Sequence, residues 1–210
     1  MTIWRLAHPR NPCQFVPRRY CSWNNRFDDP EKKYRTLYGA RWAITCLREL
    51  LADLRPNAKA IAEFEEIFGA HAGVGLIPAG IVSRQWRRAN VLVYATARLR
   101  QGRLVAIEAP HQRIRLGLVH KSLLHKFGIQ ELTIQSLRAR QRPVTRRISR
   151  TLYEEGYAGI SFHSRLDEKP CYAFFVGRAT LHQSGNIIHM TENHPDLIKV
   201  CGEYTLVLRS

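Results

Sequence analysis

Apolar positions recur along this chain in two periods, and the changes between them mark its elements. Ile3 to Leu6 reads as a short opening strand. Residues 7 to 33 carry few periodic apolar positions and many Pro, Asn, Arg and Asp, so they read as loop. A loop of that length in a compact domain is functional or disordered, and Arg26 within it favours function. Arg35 to Gly39 predicts a strand running into a helix over Arg41 to Leu54. Ala43, Leu47, Leu50, Leu51 and Leu54 share one face of that helix, Glu49 flanks it on the side of Thr45 and Trp42, and Pro56 closes it. A second helix is predicted over Ala58 to Phe68, ending at Gly69. The Gly-rich loop from His71 to Gly80 fits neither the dinucleotide nor the P-loop spacing.

Beyond it, Ser83 to Arg88 reads as a short helical turn. Asn90–Leu99 and Arg103–Glu108 predict a hairpin turning at Gln101-Gly102. Leu116 to Lys126 predicts a helix ending at Gly128. Pro143 to Glu155 predicts another, with proline in its first turn, Gly156 past its end, and Val144, Ile148 and Leu152 on one stripe. Gly159–Phe162 and Cys171–Val176 read as strands around a charged turn, Asp167 to Lys169. His194–Cys201 and Tyr204–Leu208 predict a final helix and strand. Strand pairs mixed with strand–helix alternation predict an α+β, or mixed α/β, single domain. Residues 1–180 would form its body and 181–210 a helix–strand extension of the same domain.

Composition narrows the function classes. With 210 residues and 45% hydrophobic content, the chain can bury a real core and is not disordered as a whole. No apolar run approaches the roughly 20 residues of a membrane span. Met1 to Leu6 lacks the basic head and apolar run of a signal peptide, so a soluble cytoplasmic protein is expected. Cys13, Cys21, Cys46, Cys171 and Cys201 include no C-x-x-C pair, which argues against a disulfide framework and a metal site. The net charge of +16 suits an anionic partner, whether nucleotide, nucleic acid or acidic protein, or a merely solvated basic surface.

Candidate chemistry gathers around Arg26, Tyr38 and Glu49, spaced by twelve and eleven residues. Arg26 is either a surface arginine paired with Asp28 or Asp29, or a two-pronged clamp for phosphate. Tyr38 is a half-buried strand aromatic or a ribose-binding hydroxyl, and Tyr34 competes for that role. Glu49 is a solvated helix residue or a fixed anion that stabilises positive charge on a sugar ring. Ser164, following a predicted strand, is a turn serine or a ligand for diphosphate or ribose. No G-x-S-x-G pattern supports a serine triad. Arg138, Arg140, Arg142, Arg146, Arg147 and Arg150 form a basic cluster that either solvates a helix or binds nucleic acid.

These residues resemble a family pattern. Arg26-Phe27, Tyr38-Gly39-Ala40 and Glu49, followed by Gly156 to Arg165 with Ser164, are similar to the blocks of RES-domain proteins, the toxin halves of bacterial Res–Xre toxin–antitoxin pairs. Gln85-Trp86-Arg87-Arg88 and Val144-Thr145-Arg146 resemble the family less specifically. The Gly-rich stretch common after the family arginine is replaced here by Asp28 to Lys33. The resemblance implies a fold similar to mono-ADP-ribosyltransferases and an enzyme that degrades NAD by hydrolysis or phosphorolysis. Arg26, Tyr38 and Glu49 would be catalytic. Arg26, Phe27, Tyr34 and Ser164 would bind NAD, with Phe27 or Tyr34 stacking on a ring. NAD is then substrate, and no cofactor or metal is needed. The implied partners are an Xre-like helix-turn-helix antitoxin, DNA only through that antitoxin, and a second copy in a homodimer. Two rival expectations are ADP-ribosyl transfer to a protein and a basic nucleic-acid-binding protein.

Overall fold

The computed structural model describes residues 1–56, 66–67, 69, 80–139 and 142–209. The helix predicted over Ala58 to Phe68 and the Gly-rich loop from His71 to Gly80 lie largely outside the described residues. The described chain is a mixed α/β domain with seven helices around one mixed sheet.

The strands are β1 (Thr2–Ala7), β2 (Thr36–Ala40), β3 (Ile81–Val82), β4 (Val91–Leu99), β5 (Leu104–Ala106), β6 (Gly159–His163), β7 (Pro170–Phe175), β8 (Ala179–Gln183), β9 (Ile188–His189) and β10 (Val207–Leu208). The helices are α1 (Ala43–Leu51), α2 (Arg84–Ala89), α3 (Pro110–Val119), α4 (Lys121–Lys126), α5 (Ile134–Arg138), α6 (Pro143–Glu154) and α7 (Pro195–Glu203). The main sheet runs β5-β6-β7-β2-β1-β4-β8, with β9 also on β4, and β3 and β10 form a separate parallel pair.

Several sequence expectations change here. Gln101-Gly102 is not a hairpin turn: β4 pairs with β1, β8 and β9, whereas β5 crosses to the far edge and pairs parallel with β6. Local alternation cannot reveal which strand a segment pairs with, and Gly102 serves a crossover in the left-handed region, at φ 71°. The helix expected from Leu116 is two helices that meet at His120. In α1, Leu50 is 46% exposed, and Thr45 and Cys46 take the buried face beside Leu47 and Leu51. After Ala179, β8 pairs with β4, and Leu197, Val200 and Cys201 of α7 are buried.

Period-two alternation divides the sheet's two faces. On one face lie two cores side by side. The first joins Val105, Ile160, Ala173 and Phe175 to the α3–α6 region. The second joins Ala40, Cys171 and Leu92 to α1 and α7. Phe162 packs against both, so β6, β7 and β2 run beneath their seam. The opposite face carries Ile3, Leu37 and Phe174 under Cys13 and Phe15 of the long loop.

Gly159 is required by the close pairing of β6 with β7. A Cβ added there would lie 2.2 Å from the Ala173 carbonyl oxygen. Gly159→Ala is therefore expected to cost about 1–3 kcal/mol through overpacking. A lowered urea midpoint with an unchanged m-value would register it.

Candidate active site

The loop bearing Arg26 is built on two aspartates. Asp28 accepts hydrogen bonds from the Asn25 backbone and side chain, at 2.8 and 2.9 Å. Asp29, 0% exposed, accepts from the backbone N–H groups of Glu31, Lys33 and Tyr34. These local bonds replace the ladder that a loop lacks, so the segment is ordered without regular structure.

The basic cluster braces the same loop. Arg150 donates to Asp29 at 3.1 and 3.3 Å and also pairs with Glu31 and Glu154. Arg146 donates to the Asp28 and Asp29 carbonyls, Arg147 pairs with Glu31, and Arg142 donates to the Asn24 carbonyl. Arg138 grips Glu108 through two bonds, at 2.9 and 3.2 Å. The described arginines of this cluster thus hold the protein together. That removes the main motive for reading Arg138–Arg150 as a nucleic-acid surface.

The structure sorts the six expected site residues into three pairs: Arg26 and Glu49, Tyr38 and Ser164, and Phe27 and Tyr34. Arg26 is half-buried and donates to the Arg138 carbonyl at 3.3 Å. Burial pulls its pKa down; Glu49 opposes this, while the nearby charges of Arg165 and Arg142 add to it. Glu49, also half-buried, accepts a 2.6 Å hydrogen bond from the Ser164 hydroxyl. The buried Cys171 thiol at the start of β7 is pushed up chiefly by burial and then by Glu49, and Arg26 offsets part of this. Arg26 and Glu49 thus feel each other's charge and that of the same β7 thiol, without an ion pair or hydrogen bond between them.

Tyr38 and Ser164 have their hydroxyls committed to protein. The Tyr38 hydroxyl donates to Asp28 Oδ1 and accepts from the Phe27 N–H, both at 3.0 Å. Burial, then Asp28, raises its pKa well above the ordinary tyrosine value. It ties the Arg26 loop to β2. Ser164, 0% exposed, donates to Glu49 and accepts from the Leu166 N–H at 3.1 Å. Both read as positioning groups.

Phe27 and Tyr34, expected to stack on a substrate ring, are each 1% exposed and belong to the core. Phe27 meets Phe162 edge-on, and Tyr34 stacks on Tyr153 while its hydroxyl bonds Ser149 at 2.8 Å. Their apolar bulk fills the first core and leaves no face for a ligand. Arg142, named from the sequence only within the basic cluster, and Arg165, named only in the block with Ser164, both act on Arg26 through their charges. Adjacency of Arg165 to Ser164 was the available signal.

The turn after β6 is clamped as firmly as the Arg26 loop. Thr45 and Arg48 of α1 donate to Asp167 Oδ2 at 2.8 and 3.0 Å, and Arg48 also pairs with Glu203. Among the described residues four non-glycine residues have positive φ, and three of them, Trp23, Lys32 and Glu168, lie in these two segments. Such strain persists where surrounding bonds over-determine the backbone. Burial alone would raise the Asp167 pKa, but hydrogen bonds from Thr45 and Arg48 outweigh it and hold the carboxyl below its ordinary 3.8. The stabilisation is therefore present above that value and lost as pH falls through the lower folded value. Asp167→Asn is expected to flatten the decline in urea midpoint below about pH 4. An unchanged decline would show that Asp167 does not contribute.

Among the described residues no group of three or more His, Cys, Asp or Glu is arranged to hold a metal ion. No helix among them is long and apolar enough to cross a membrane.

Comparison with known proteins completes the picture. No curated protein matches the chain significantly by sequence. Among solved structures, the chain is similar to one in the crystal structure of the M. tuberculosis MbcT–MbcA toxin–antitoxin complex. The TM-score is 0.49 and the identity 12%, covering 90% of this chain and 84% of that one. By sequence, residues 2–199 match the RES domain, and the chain belongs to the RES-domain family.

Proposed function

We propose that this chain is the toxin of a toxin–antitoxin pair and that it degrades NAD by breaking the bond between nicotinamide and ribose. Membership of the RES family supports the class. The observation that carries the chemistry is Glu49, held by a 2.6 Å hydrogen bond from the Ser164 hydroxyl, with the Arg26 charge acting on it.

Arg26, reinforced by Arg142 and Arg165, grips the NAD diphosphate, because a guanidinium offers paired donors matched to phosphate oxygens. Departure of nicotinamide leaves positive charge on the ribose C1′ and its ring oxygen. Glu49, a preorganised anion, stabilises that charge as it develops. Water or phosphate then bonds to C1′, giving ADP-ribose or its phosphate ester. Nicotinamide carries away the electron pair of the broken bond. Tyr38 sets the loop that carries Arg26, and Ser164 sets Glu49. NAD is the substrate, and the reaction needs no metal or cofactor. An Xre-like helix-turn-helix antitoxin would silence the cleft and carry any DNA contact, and the toxin would act as a homodimer in the cytoplasm.

The test is to incubate the purified chain with NAD, with and without phosphate, and identify products by mass spectrometry. Nicotinamide plus ADP-ribose, or its phosphate ester when phosphate is present, is the expected result. Label transferred from NAD onto protein would instead mark an ADP-ribosyltransferase. Intact NAD in both buffers, with folded and partner-free protein, would overturn the reading.

A further inference from the structure

We infer that a second site, away from Glu49, binds a phosphomonoester or inorganic phosphate dianion. It is a groove of about 560 Å³ between α2 and the segment after β9, lined by Arg84, Arg87, Arg88, His189, Met190, Thr191, Glu192 and Asn193. That volume suits a small ligand.

The arginines are arranged by the helix. Arg84 and Arg88 are four residues apart and share a face, with Arg87 beside them. Arg84 and Arg88 are exposed and make no side-chain hydrogen bond or ion pair with the described residues. Arg87 is different. It is 8% exposed, its Nη2 donates to the Arg209 carbonyl at 2.8 Å, and Glu192 stands off at 3.7 Å. Its buried Nε has no acceptor among the described residues.

Charge and shape limit what that ligand is. Three guanidinium groups face one carboxylate, leaving an excess of two positive charges. A phosphate dianion neutralises that excess and offers acceptor oxygens to the exposed Arg84 and Arg88 guanidinium groups. His189 and Asn193 add further polar groups at the rim. No Phe, Tyr or Trp ring lines the groove, and the His189 imidazole is its one stacking surface, which disfavours a run of stacked bases and so single-stranded nucleic acid. The contrast with the Arg138–Arg150 cluster is instructive. There, ion pairs and carbonyl groups absorb the charge; here two of three guanidinium groups remain unmatched by the described residues.

This site does not depend on the NAD reading, and its test separates the two. Inorganic phosphate binding would be measured by calorimetry on the wild-type chain, on Arg84→Gln/Arg88→Gln, and on Arg26→Gln. Arg84 and Arg88 are exposed, so the double variant should fold normally, and circular dichroism would verify this. The double variant is expected to bind phosphate roughly tenfold or more weakly, because two charge-assisted contacts are removed. Arg26→Gln is expected to keep that binding. Arg87→Gln, if folded, should behave like the double variant. Wild-type affinity in the double variant, or loss of all phosphate binding in Arg26→Gln alone, would overturn the proposal. A short DNA duplex serves as the second probe. Duplex binding lost in the double variant, with phosphate binding unchanged, would reassign the groove to nucleic acid and overturn it as well.

Discussion

Glu49→Gln is expected to lower kcat for NAD breakdown by about 10²–10³-fold while leaving KM and stability nearly unchanged. The amide keeps the shape and can still accept the Ser164 hydrogen bond, made at 2.6 Å in the native protein. What disappears is the negative charge, which matters most when the ribose becomes cationic. A group that acts only in the transition state should change kcat and kcat/KM together. Toxicity on expression should fall in parallel. Ser164→Ala should produce a smaller loss, because it frees the carboxylate to move without removing its charge. If Glu49→Gln turns over NAD at the wild-type rate, the assignment of the anion is wrong. If instead KM rises alone, Glu49 binds substrate without stabilising the transition state.

Asp29→Ala should be the most destabilising single change in the loop, costing about 3–5 kcal/mol. Asp29 is 0% exposed and accepts from three backbone N–H groups as well as Arg150. Its removal leaves three backbone donors without their acceptor at once and takes from Arg150 its one buried carboxylate, leaving it Glu31 and Glu154. That loss is a large share of the roughly 5–15 kcal/mol by which a domain is stable. Urea unfolding would measure it. Protein that remains folded should show a raised KM for NAD, because Arg26 sits three residues before Asp29 on the same braced loop. Arg26→Lys offers the control: it should raise KM without moving the urea midpoint. A midpoint for Asp29→Ala within experimental scatter of wild type would show that the brace is not needed for the fold.

Much of this site was legible in the chain, although the roles of its parts were not. Arg26, Tyr38, Glu49 and Ser164 were singled out from their order and spacing, and Ser164 donates a hydrogen bond to Glu49. The hydroxyls of Tyr38 and Ser164 were expected to touch substrate, yet each is engaged by protein groups. Phe27 and Tyr34 were expected to stack on a ligand, yet both fill the core. An aromatic residue beside a candidate arginine looks the same in sequence whether it faces a cleft or a core. Only the packing of Phe162, Ser149 and Tyr153 against it settles which.

The sequence by itself determined what depends on neighbours a few residues away. Apolar alternation placed β1, β2, β6 and β7; the Pro143 and Gly156 signals bounded α6; and motif order identified the family. Tertiary structure decided what depends on distant partners. It moved β5 from the expected hairpin to the far edge beside β6. For the basic cluster it chose neither a solvated helix nor a nucleic-acid surface, and made the side chains of Arg142, Arg146, Arg147 and Arg150 braces for a loop more than a hundred residues earlier. The physical reason is the same in each case. Helical and strand periods arise from backbone geometry within a few residues, whereas strand pairing and charge neutralisation are settled by which segments the fold brings together.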